Sequence, residues 1–234
     1  MAFRSPLSRR RLAIMKEGLD QRIVGPDTSR VIRSCQRRIP SILGGGAALS
    51  GAYLHHRFSA DVDLFFPSRA DLREMVRQLP EVAEEIGTGI QVVRDGGTHV
   101  RVAFDPTQSA VEMDLVFDPS PLADDPVLLD DGVRVASLLD LRANKLTCVL
   151  SRSEPRDLVD LFFLDRAGFP PELDLPQALR KDMGIDPGIL AWLVGQFPVT
   201  PLPRMLQPLD SAELLAFRDD LANRLRLHTL PNEE

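Results

Sequence analysis

The stretch "LGGGAALSGAYLHHRFSADVDLFF", Leu43 to Phe66, decides the fold of this chain. Near its end, Asp61 and Asp63 alternate with large apolar residues, and this alternation predicts a strand over residues 60–66. Residues two apart on a strand point to the same side, about 6–7 Å apart along the chain. Carboxylates on an inner strand are costly to desolvate unless something compensates their charge. The pattern therefore predicts that Asp61 and Asp63 hold one divalent metal ion, or two neighbouring ions.

Three glycines, Gly44 to Gly46, precede a predicted helix, "AALSGAYLHH". A glycine-rich turn that opens a helix lets backbone N–H groups approach phosphate, and the helix dipole favours the negative charge. The turn matches neither the P-loop nor the GxGxxG pattern, and a plain tight turn is an alternative interpretation. However, only fourteen residues separate Gly46 from Asp61. The combination indicates that metal ions and a nucleoside triphosphate compensate the acids.

A later predicted strand, "SAVEMDLVFD", offers a second pair of acids. Glu112 and Asp114 share one of its faces, and apolar residues occupy the other. Asp114 is flanked by Met113 and Leu115, which is typical of a carboxylate on an inner strand. We predict Asp114 as the third metal ligand, with Glu112 as its alternative, and magnesium as the ion, since it prefers such oxygen ligands. Equally open is that both acids form the solvent face of an edge strand.

Arg57 and Ser59 lie between the glycine turn and the paired acids. Arg57 is placed to contact phosphate or to neutralise Asp61, although an exposed loop arginine would look the same. His55 and His56 have no zinc-site spacing with the acids, so we expect them to be structural or close to the substrate.

A third cluster, "KLTCVLSRSEPRDLVDLFF", lies on two predicted helices. Lys145 and Arg152 are seven apart and therefore share one helical face. Arg156 and Asp160 form an i,i+4 pair, which as an ordinary exposed salt bridge contributes about 0.3–0.5 kcal/mol. Their helix is rich in large apolar residues, however, so the pair is expected at the edge of a core, facing something polar. Lys145 is one of only three lysines in a chain that otherwise uses arginine, which marks its position as informative.

Length and composition set broad limits. With 234 residues and 44% hydrophobic residues the chain is long enough to bury a sizeable core. No apolar run reaches the roughly 18 residues of a membrane span, and the basic N-terminus makes a poor signal peptide. The only cysteines, Cys35 and Cys148, predict no disulfide framework. A cytoplasmic location is the expectation.

The order of predicted elements divides the chain near residue 135. The first part alternates helices and strands, and the second is helical, which gives predicted domains over 1–135 and 136–234. A hairpin signal, Asp95-Gly96-Gly97, joins two of the strands. The predicted helices span 8–19, 27–38, 69–86 with an interruption near Pro80, two segments between 137 and 168, and regions near 186–196 and 210–227; the predicted strands are 60–66, "IQVVRD", "THVRVAFD" and "SAVEMDLVFD".

Charge is unevenly distributed along the chain. Residues 1–40 hold ten Lys or Arg against three acids, a net of +7, so the remainder carries −13 of the total of −6. This asymmetry indicates either a polyanion contacted by the N-terminal part or a solvated, arginine-rich helix face. Arg30, Arg33 and Arg37 recur at helical spacing and form one stripe. The stripe is expected to bind RNA phosphates or to pack against acids of the same chain.

Taken together, these clusters resemble the AbiEii/AbiGii-type nucleotidyltransferase toxin family, which includes the MenT-like toxins. The resemblance covers roughly residues 40–165. It rests on "GGGAAL…HHRFSADVDLFF", on "VEMDLV" and on "LLDLRANKL…SRSEPRDLVDLFF". One departure is Ala47, where the family usually has Thr or Ser after the paired glycines. A hydroxyl contact to phosphate would be lost there, leaving backbone donors.

The resemblance implies an α+β fold: a polymerase-beta-like nucleotidyltransferase mixed sheet with flanking helices, followed by a helical C-terminal region. It implies magnesium-dependent transfer of a nucleotide from an NTP to an acceptor hydroxyl at the 3′ end of tRNA, as the toxin of a type IV toxin-antitoxin system with a DNA-binding antitoxin. The resemblance assigns Asp61, Asp63 and Asp114 to two magnesium ions, and Gly45, Gly46 and Lys145 to the triphosphate. It places Asp160, oriented by Arg156, near the nucleophile or the nucleotide. The other candidate nucleotide contacts are Ala47, Arg57, Ser59 and Arg156, and the candidate catalytic residues are Asp61, Asp63, Asp114, Lys145 and Asp160. Transfer to a small molecule or protein hydroxyl, and a nucleotide-binding pseudoenzyme, are the alternative functions.

Overall fold

The computed structural model describes residues 17–59, 61–104 and 111–229. Within them the chain divides into two compact units. The first contains the described residues up to Pro119 together with Asp125–Ser137, and the second contains Ser120–Asp124 and the described residues from Leu138 onward. The helix predicted over 8–19 lies mostly outside the described residues, and residues 17–20 have no regular structure. The predicted boundary at residue 135 stays a prediction.

A mixed sheet forms the centre of the first unit. Its strands within the described residues are β1 (Ile42–Leu43), β2 (Val62–Phe66), β3 (Ile90–Asp95), β4 (His99–Phe104), β5 (Val111–Phe117), β6 (Val127–Leu128) and β7 (Arg134–Val135). They lie in the order β3-β4-β5-β2-β1-β7-β6. The pairs β2/β5 and β1/β7 are parallel, and the remaining neighbours are antiparallel. The four longer strands were predicted, whereas β1, β6 and β7 are too short to give a periodic signal.

The two central strands, β2 and β5, are built by alternation. Val62, Leu64 and Phe66 are buried on one face of β2, and Asp63 lies on the other. Strand β5 runs parallel to β2 and sits between β2 and β4, so it is an inner strand. The alternative that Glu112 and Asp114 lie on an edge strand is therefore wrong.

Helices of the first unit lead into and out of these strands. They are α1 (Pro26–Arg38), α2 (Gly45–Ala48) with a π-helical continuation (Leu49–Leu54), and α3 (Arg69–Ile86). Helix α3 begins at a serine cap, where the Ser68 hydroxyl accepts a hydrogen bond from the Asp71 N–H at 3.0 Å. The predicted interruption near Pro80 is wrong, because α3 continues through it. Proline removes one backbone hydrogen bond, but the buried face on both sides of Pro80, from Leu72 to Ala83, anchors the helix.

The second unit is helical, as predicted. Its described helices are α4 (Leu138–Ser151), α5 (Pro155–Arg166), a 3₁₀ turn (Pro171–Asp174) that leads into α6 (Leu175–Lys181), α7 (Pro187–Gly195) and α8 (Ser211–Leu227). The sequence did not predict α6 because prolines interrupt its short pattern. Helix α8 begins with a capping box in which Asp210 and Glu213 exchange backbone contacts. None of the helices in the part of the chain that the structure describes is long and apolar enough to cross a membrane.

Candidate active site

The glycine turn lies directly against Asp63. The Gly44 N–H donates a hydrogen bond to the Asp63 carbonyl at 3.0 Å. Gly45 has a φ of +60°, and a Cβ atom there would come within 1.9 Å of the Asp63 Oδ2. Only glycine accepts this backbone angle and this close approach together. The turn and the acid, predicted as parts of one site, are thus brought into contact.

Arg57 and Ser59 complete the other side of the turn. A Cβ atom on Gly46 would lie 2.5 Å from an Arg57 Nη2 and 3.0 Å from the Ser59 hydroxyl. Arg57 is only 2% exposed, so the interpretation as an exposed loop arginine is wrong. The Ser50 hydroxyl donates to the Arg57 carbonyl at 2.6 Å and fixes this loop. A buried guanidinium therefore stands beside the start of α2, where anions are favoured.

His55, His56 and Ala47 lie near the glycine turn in the chain, and their contacts are with the surrounding protein. His56 is buried, and its Nδ1 lies 3.3 Å from the Ser50 hydroxyl, which agrees with a structural role. His55 has a φ of +50° and contacts Asp20 at 3.3 Å. Ala47 is fully buried, so its methyl group packs inside the unit.

Asp114 lies beside Asp63 on the neighbouring strand. The two residues are direct partners in the parallel β2/β5 register. The guanidinium of Arg101 donates two hydrogen bonds to the Asp114 carboxylate, at 2.8 and 2.7 Å, and the His99 Nε2 lies 2.8 Å from it. Burial raises the pKa of Asp114, but the hydrogen bonds and charges of Arg101 and His99 outweigh it, so the pKa falls below its ordinary value.

Arg101 interacts with three acids, Asp114, Glu112 and Asp61. Its hydrogen bonds with Asp114 and the charge of Asp114 raise its pKa, with smaller contributions from Glu112 and Asp61. Glu112 is half exposed and lies 3.9 Å from the Arg101 guanidinium. Of the two acids on β5, Asp114 is therefore the buried one and the register partner of Asp63.

The donor set suits magnesium in its chemistry. Among residues 17–59, 61–104 and 111–229, no group of three His, Cys, Asp or Glu side chains is arranged so that it could hold a metal ion. Asp61 is one of the residues covered by this statement. Magnesium, however, is bound through one or two carboxylates plus substrate phosphates and keeps several waters. Asp63 and Asp114, in register beside a turn that a Cβ atom would fill, meet that description.

Lys145 is the centre of a buried ion cluster in the second unit. Its ammonium contacts Asp157 at 3.0 Å and Asp160 at 2.7 Å, and all three side chains are almost completely buried. Arg152, predicted on the same face as Lys145, also contacts Asp157, at 2.7 Å. The cluster joins α4 to α5.

Arg156 and Asp160, the predicted i,i+4 pair, each have a partner outside that pair. Arg156 contacts Glu154 at 2.5 Å, and Asp160 contacts Lys145. The orientation of Asp160 by Arg156 stays a prediction from the resemblance.

One family model matches most of this chain. The model of the nucleotidyl transferase AbiEii toxin family, of type IV toxin-antitoxin systems, matches residues 36–230. The chain belongs to the AbiEii family. It is therefore a nucleotidyltransferase of a toxin family. The match extends well beyond the residues 40–165 on which the sequence resemblance rests.

Solved structures confirm the fold. MenT4, a nucleotidyltransferase toxin of Mycobacterium tuberculosis H37Rv, superposes with a TM-score of 0.65 at 18% identity, over 99% of this chain and 92% of MenT4. JHP933 of Helicobacter pylori gives 0.54 at 22% identity, over 90% of this chain and 96% of JHP933. The polymerase-beta-like α+β class is thus confirmed. The chain matches no curated protein sequence.

Within this AbiEii fold, sequence reasoning missed three side chains. Arg101 and His99 contact Asp114, and Asp157 contacts Lys145. Alternation in "THVRVAFD" places His99 and Arg101 on one face of β4. No sequence signal, however, indicates that this face lies opposite Asp114, because strand register depends on the folded sheet.

Proposed function

We propose that this protein transfers a nucleotide from an NTP to a hydroxyl at the 3′ end of tRNA and acts in the cytoplasm as a toxin paired with a DNA-binding antitoxin. The observation that carries the proposal is the contact of the glycine turn with Asp63, which is in register with Asp114. Membership of the AbiEii toxin family supports the reaction class. The acceptor, the magnesium ion and the antitoxin are proposals that follow from the resemblance.

The first unit supplies the groups that would bind the nucleotide. The first N–H groups of α2 have no partners within the helix, so they are available to the triphosphate. Arg57 adds a buried positive charge beside Gly46. Ser59 lies against the same turn and positions the chain before Asp61, since its hydroxyl donates to the Asp61 carbonyl at 3.3 Å.

Asp63 and Asp114, with Asp61 in addition, would hold magnesium. Bound there, magnesium would lower the pKa of an attacking hydroxyl and would neutralise the departing pyrophosphate. In the proposed transfer, the acceptor oxygen forms a bond to the α-phosphorus and its proton passes to solvent. The bond from the α-phosphorus to the oxygen bridging to the β-phosphate breaks, and that oxygen leaves with the pyrophosphate. Within the chain itself, Arg101 and His99 hold the Asp114 carboxylate ionised and fixed in direction. This arrangement keeps one metal ligand deprotonated before substrate arrives.

Lys145 is proposed to pair with the triphosphate, and Asp160 is proposed to act near the nucleophile or the nucleotide. Lys145→Ala should weaken binding of a non-hydrolysable NTP, and Lys145→Arg should not restore it fully, because an ammonium and a guanidinium differ in shape. Calorimetric titration measures the affinity, and thermal unfolding of the same samples measures the structural contribution of the buried cluster. Unchanged affinity in both variants would make Lys145 purely structural.

The deciding experiment incubates the protein with total tRNA, magnesium and each labelled NTP in turn. Label should appear in RNA, and Asp63→Asn should reduce the rate by about 10²–10⁴. Asp27→Asn, an 82% exposed acid of the same unit, is the matched control and should keep full activity. Full activity of Asp63→Asn would eliminate the site.

The same assay separates the alternative functions. Label recovered in protein or in small molecules, but not in RNA, would establish the alternative acceptor class. Binding of NTP without transfer to any acceptor would indicate a pseudoenzyme. Ala47 is the feature that favours this second candidate, because the family hydroxyl is absent there. Ala47→Ser, which adds one oxygen at this fully buried position, should then restore transfer.

A further inference from the structure

A polar cavity lies in the first unit, between helix α1 and the β6–β7 hairpin. Its volume is about 350 Å³, and three arginines line it: Arg33, Arg37 and Arg134. Gln36 and Asp131 provide the other polar groups. None of these residues belongs to the candidate active site.

Gln36 fixes the hairpin against α1. Its side-chain oxygen accepts a hydrogen bond from the Arg134 N–H at 2.8 Å, and its side-chain nitrogen donates to the Arg134 carbonyl at 2.8 Å. This two-sided contact mimics a strand pairing and holds Arg134 opposite α1. The cavity is therefore built by the fold and does not depend on a chance meeting of long side chains.

The positive charge of this cavity is incompletely neutralised. Arg33 faces Asp131 at 3.9 Å, a long contact. The Asp131 carboxylate already accepts the Leu19 N–H at 2.9 Å and the Val133 N–H at 3.1 Å. For Arg134, no carboxylate lies within salt-bridge distance among the described residues. Arg37 is paired with Glu85, so Asp131, largely engaged by backbone donors, stands against the two guanidinium groups of Arg33 and Arg134.

Such a cavity has the chemistry of a phosphate site. Guanidinium groups offer paired N–H donors that match phosphate oxygens, and their charge remains at every physiological pH. Outside the cavity, the arginines continue along α1: Arg30 is half exposed and has only a 3.4 Å contact with Asp27. A row of cations that extends beyond one anion's width favours a polymer over a free phosphate.

We propose that this cavity binds one backbone phosphate of the RNA acceptor. The inference rests on the proposed function, because it assigns an RNA contact to a transferase. It also modifies the interpretation of the basic stripe. Arg37 and Arg38 both contact Glu85, so Arg33 with Arg134 is the part of this surface left with charge for RNA.

The test measures binding of a fluorescent single-stranded RNA, without NTP or magnesium, at several salt concentrations. The double variant Arg33→Gln/Arg134→Gln should weaken binding equally for different sequences and reduce the log–log salt slope by about 1, as expected for one phosphate contact. Arg77→Gln is the matched control, because Arg77 is 69% exposed on α3 and paired with Glu74. It should leave the slope unchanged. An unchanged slope in the double variant would overturn the proposal.

Two further measurements distinguish other sources of the same chemistry. If inorganic phosphate raises the melting temperature of the wild type but not of the double variant, while the RNA slope is equal in both, the cavity binds a free anion and the RNA proposal fails. A lower melting temperature with an unchanged slope would identify a purely structural cluster and would also overturn it. Arg134→Lys, which keeps the charge, should retain the slope.

Failure of the proposed function is a separate outcome. If the wild type binds RNA with a cavity-dependent salt slope but transfers no nucleotide to it, the RNA acceptor role fails and the phosphate site stands. If transfer to RNA occurs and the double variant has the wild-type slope, the cavity proposal alone fails.

Discussion

At the scale of single residues, Gly45 carries the closest approach in the candidate active site. Its left-handed φ and the position of the Asp63 carboxylate both exclude a side chain. Gly87, at the end of α3, has a φ of +77° but nothing within 4 Å of its Cβ position. Substitutions at these two glycines therefore distinguish the effect of backbone strain from the effect of a collision with Asp63.

We predict that Gly45→Ala abolishes nucleotide transfer and that Gly87→Ala does not. Both substitutions should lower the free energy of unfolding by roughly 1–2 kcal/mol, because alanine is strained at a left-handed φ. Only the methyl group added at position 45 collides with Asp63 and displaces it. Urea unfolding and the transfer assay on the same samples check this. Equal activity in the two variants would show that Asp63 tolerates displacement.

Arg101 gives the second prediction at this scale. Arg101→Gln should lower the free energy of unfolding by about 1–3 kcal/mol, because buried Asp114 loses the partner that donates two hydrogen bonds to it. The lower end of this range is expected, since the Arg101 side chain is 39% exposed. It should also reduce transfer. Arg73→Gln is the control: it removes an arginine from a more exposed pair with Asp95 and should have a smaller effect. Equal effects in urea unfolding would contradict the assignment.

At the scale of elements, helices α4 and α5 are joined by buried charge. Burial raises the pKa of Asp157, but Lys145 and Arg152 outweigh it and lower the pKa. In the same unit, the buried carboxyl of Asp174 has the opposite balance: burial outweighs the hydrogen bonds from Arg142 and raises the pKa. The contributions of Asp157 and Asp174 to the free energy of unfolding therefore change with pH in opposite directions.

We predict that Asp157→Asn lowers the free energy of unfolding by about 3–5 kcal/mol near neutral pH, because buried Lys145 is left with Asp160 alone and Arg152 loses its contact with Asp157. The folded pKa of Asp157 lies below the unfolded value of about 3.9. The difference between wild type and variant should therefore persist above about pH 5 and shrink as pH falls through the folded pKa. Denaturation across this pH range measures it.

Asp174→Asn should give the opposite slope and serves as the comparison. Since the folded pKa of Asp174 is raised, the folded state binds its proton more tightly than the unfolded state. The stability of the wild type relative to this variant should fall as pH rises from about 4 through the folded pKa. Parallel slopes for the two variants would contradict the stated causes.

At the scale of the whole molecule, charge is partly self-compensated. The basic stripe predicted for RNA contact meets Glu85, which lies 47 and 48 residues away from Arg38 and Arg37 along the chain. Each ion pair that the acid forms removes positive potential from the surface of α1. The net charge of −6 therefore does not describe the surface of α1, where the ion pairs with Glu85 determine how much positive potential remains.

We predict that Glu85→Gln strengthens RNA binding and steepens its salt dependence, by about one unit of slope for each additional phosphate that the arginines bind. The freed Arg37 and Arg38 cause the change. Glu84→Gln alters the net charge equally but removes an exposed neighbour, so its effect should be small. RNA titrations at several salt concentrations compare them. Equal effects would mean that total charge, and not the local pair, governs binding.

The sequence by itself determined most of the helices and longer strands, and it determined that the glycine turn and the acids of β2 belong to one candidate site. Alternation in β2 and β5, glycines before α2 and the spacing of the acids are local features, and each acts over a few residues. They correctly indicated the four longer strands, most helices and the approach of Gly45 to Asp63. The Pro80 prediction failed because a buried helix face outweighs one missing hydrogen bond.

Tertiary structure alone decided which charges meet. Asp63 lies beside Asp114 because of the strand register. Arg101 binds Asp114 because of the order of the strands in the sheet. Glu85 pairs with arginines of α1 because of the way the helices pack. Such contacts join residues far apart in the chain, and a side chain's type does not specify its partner. Their energies are realised only after hydrophobic burial has closed the intervening loops, so no local pattern encodes them.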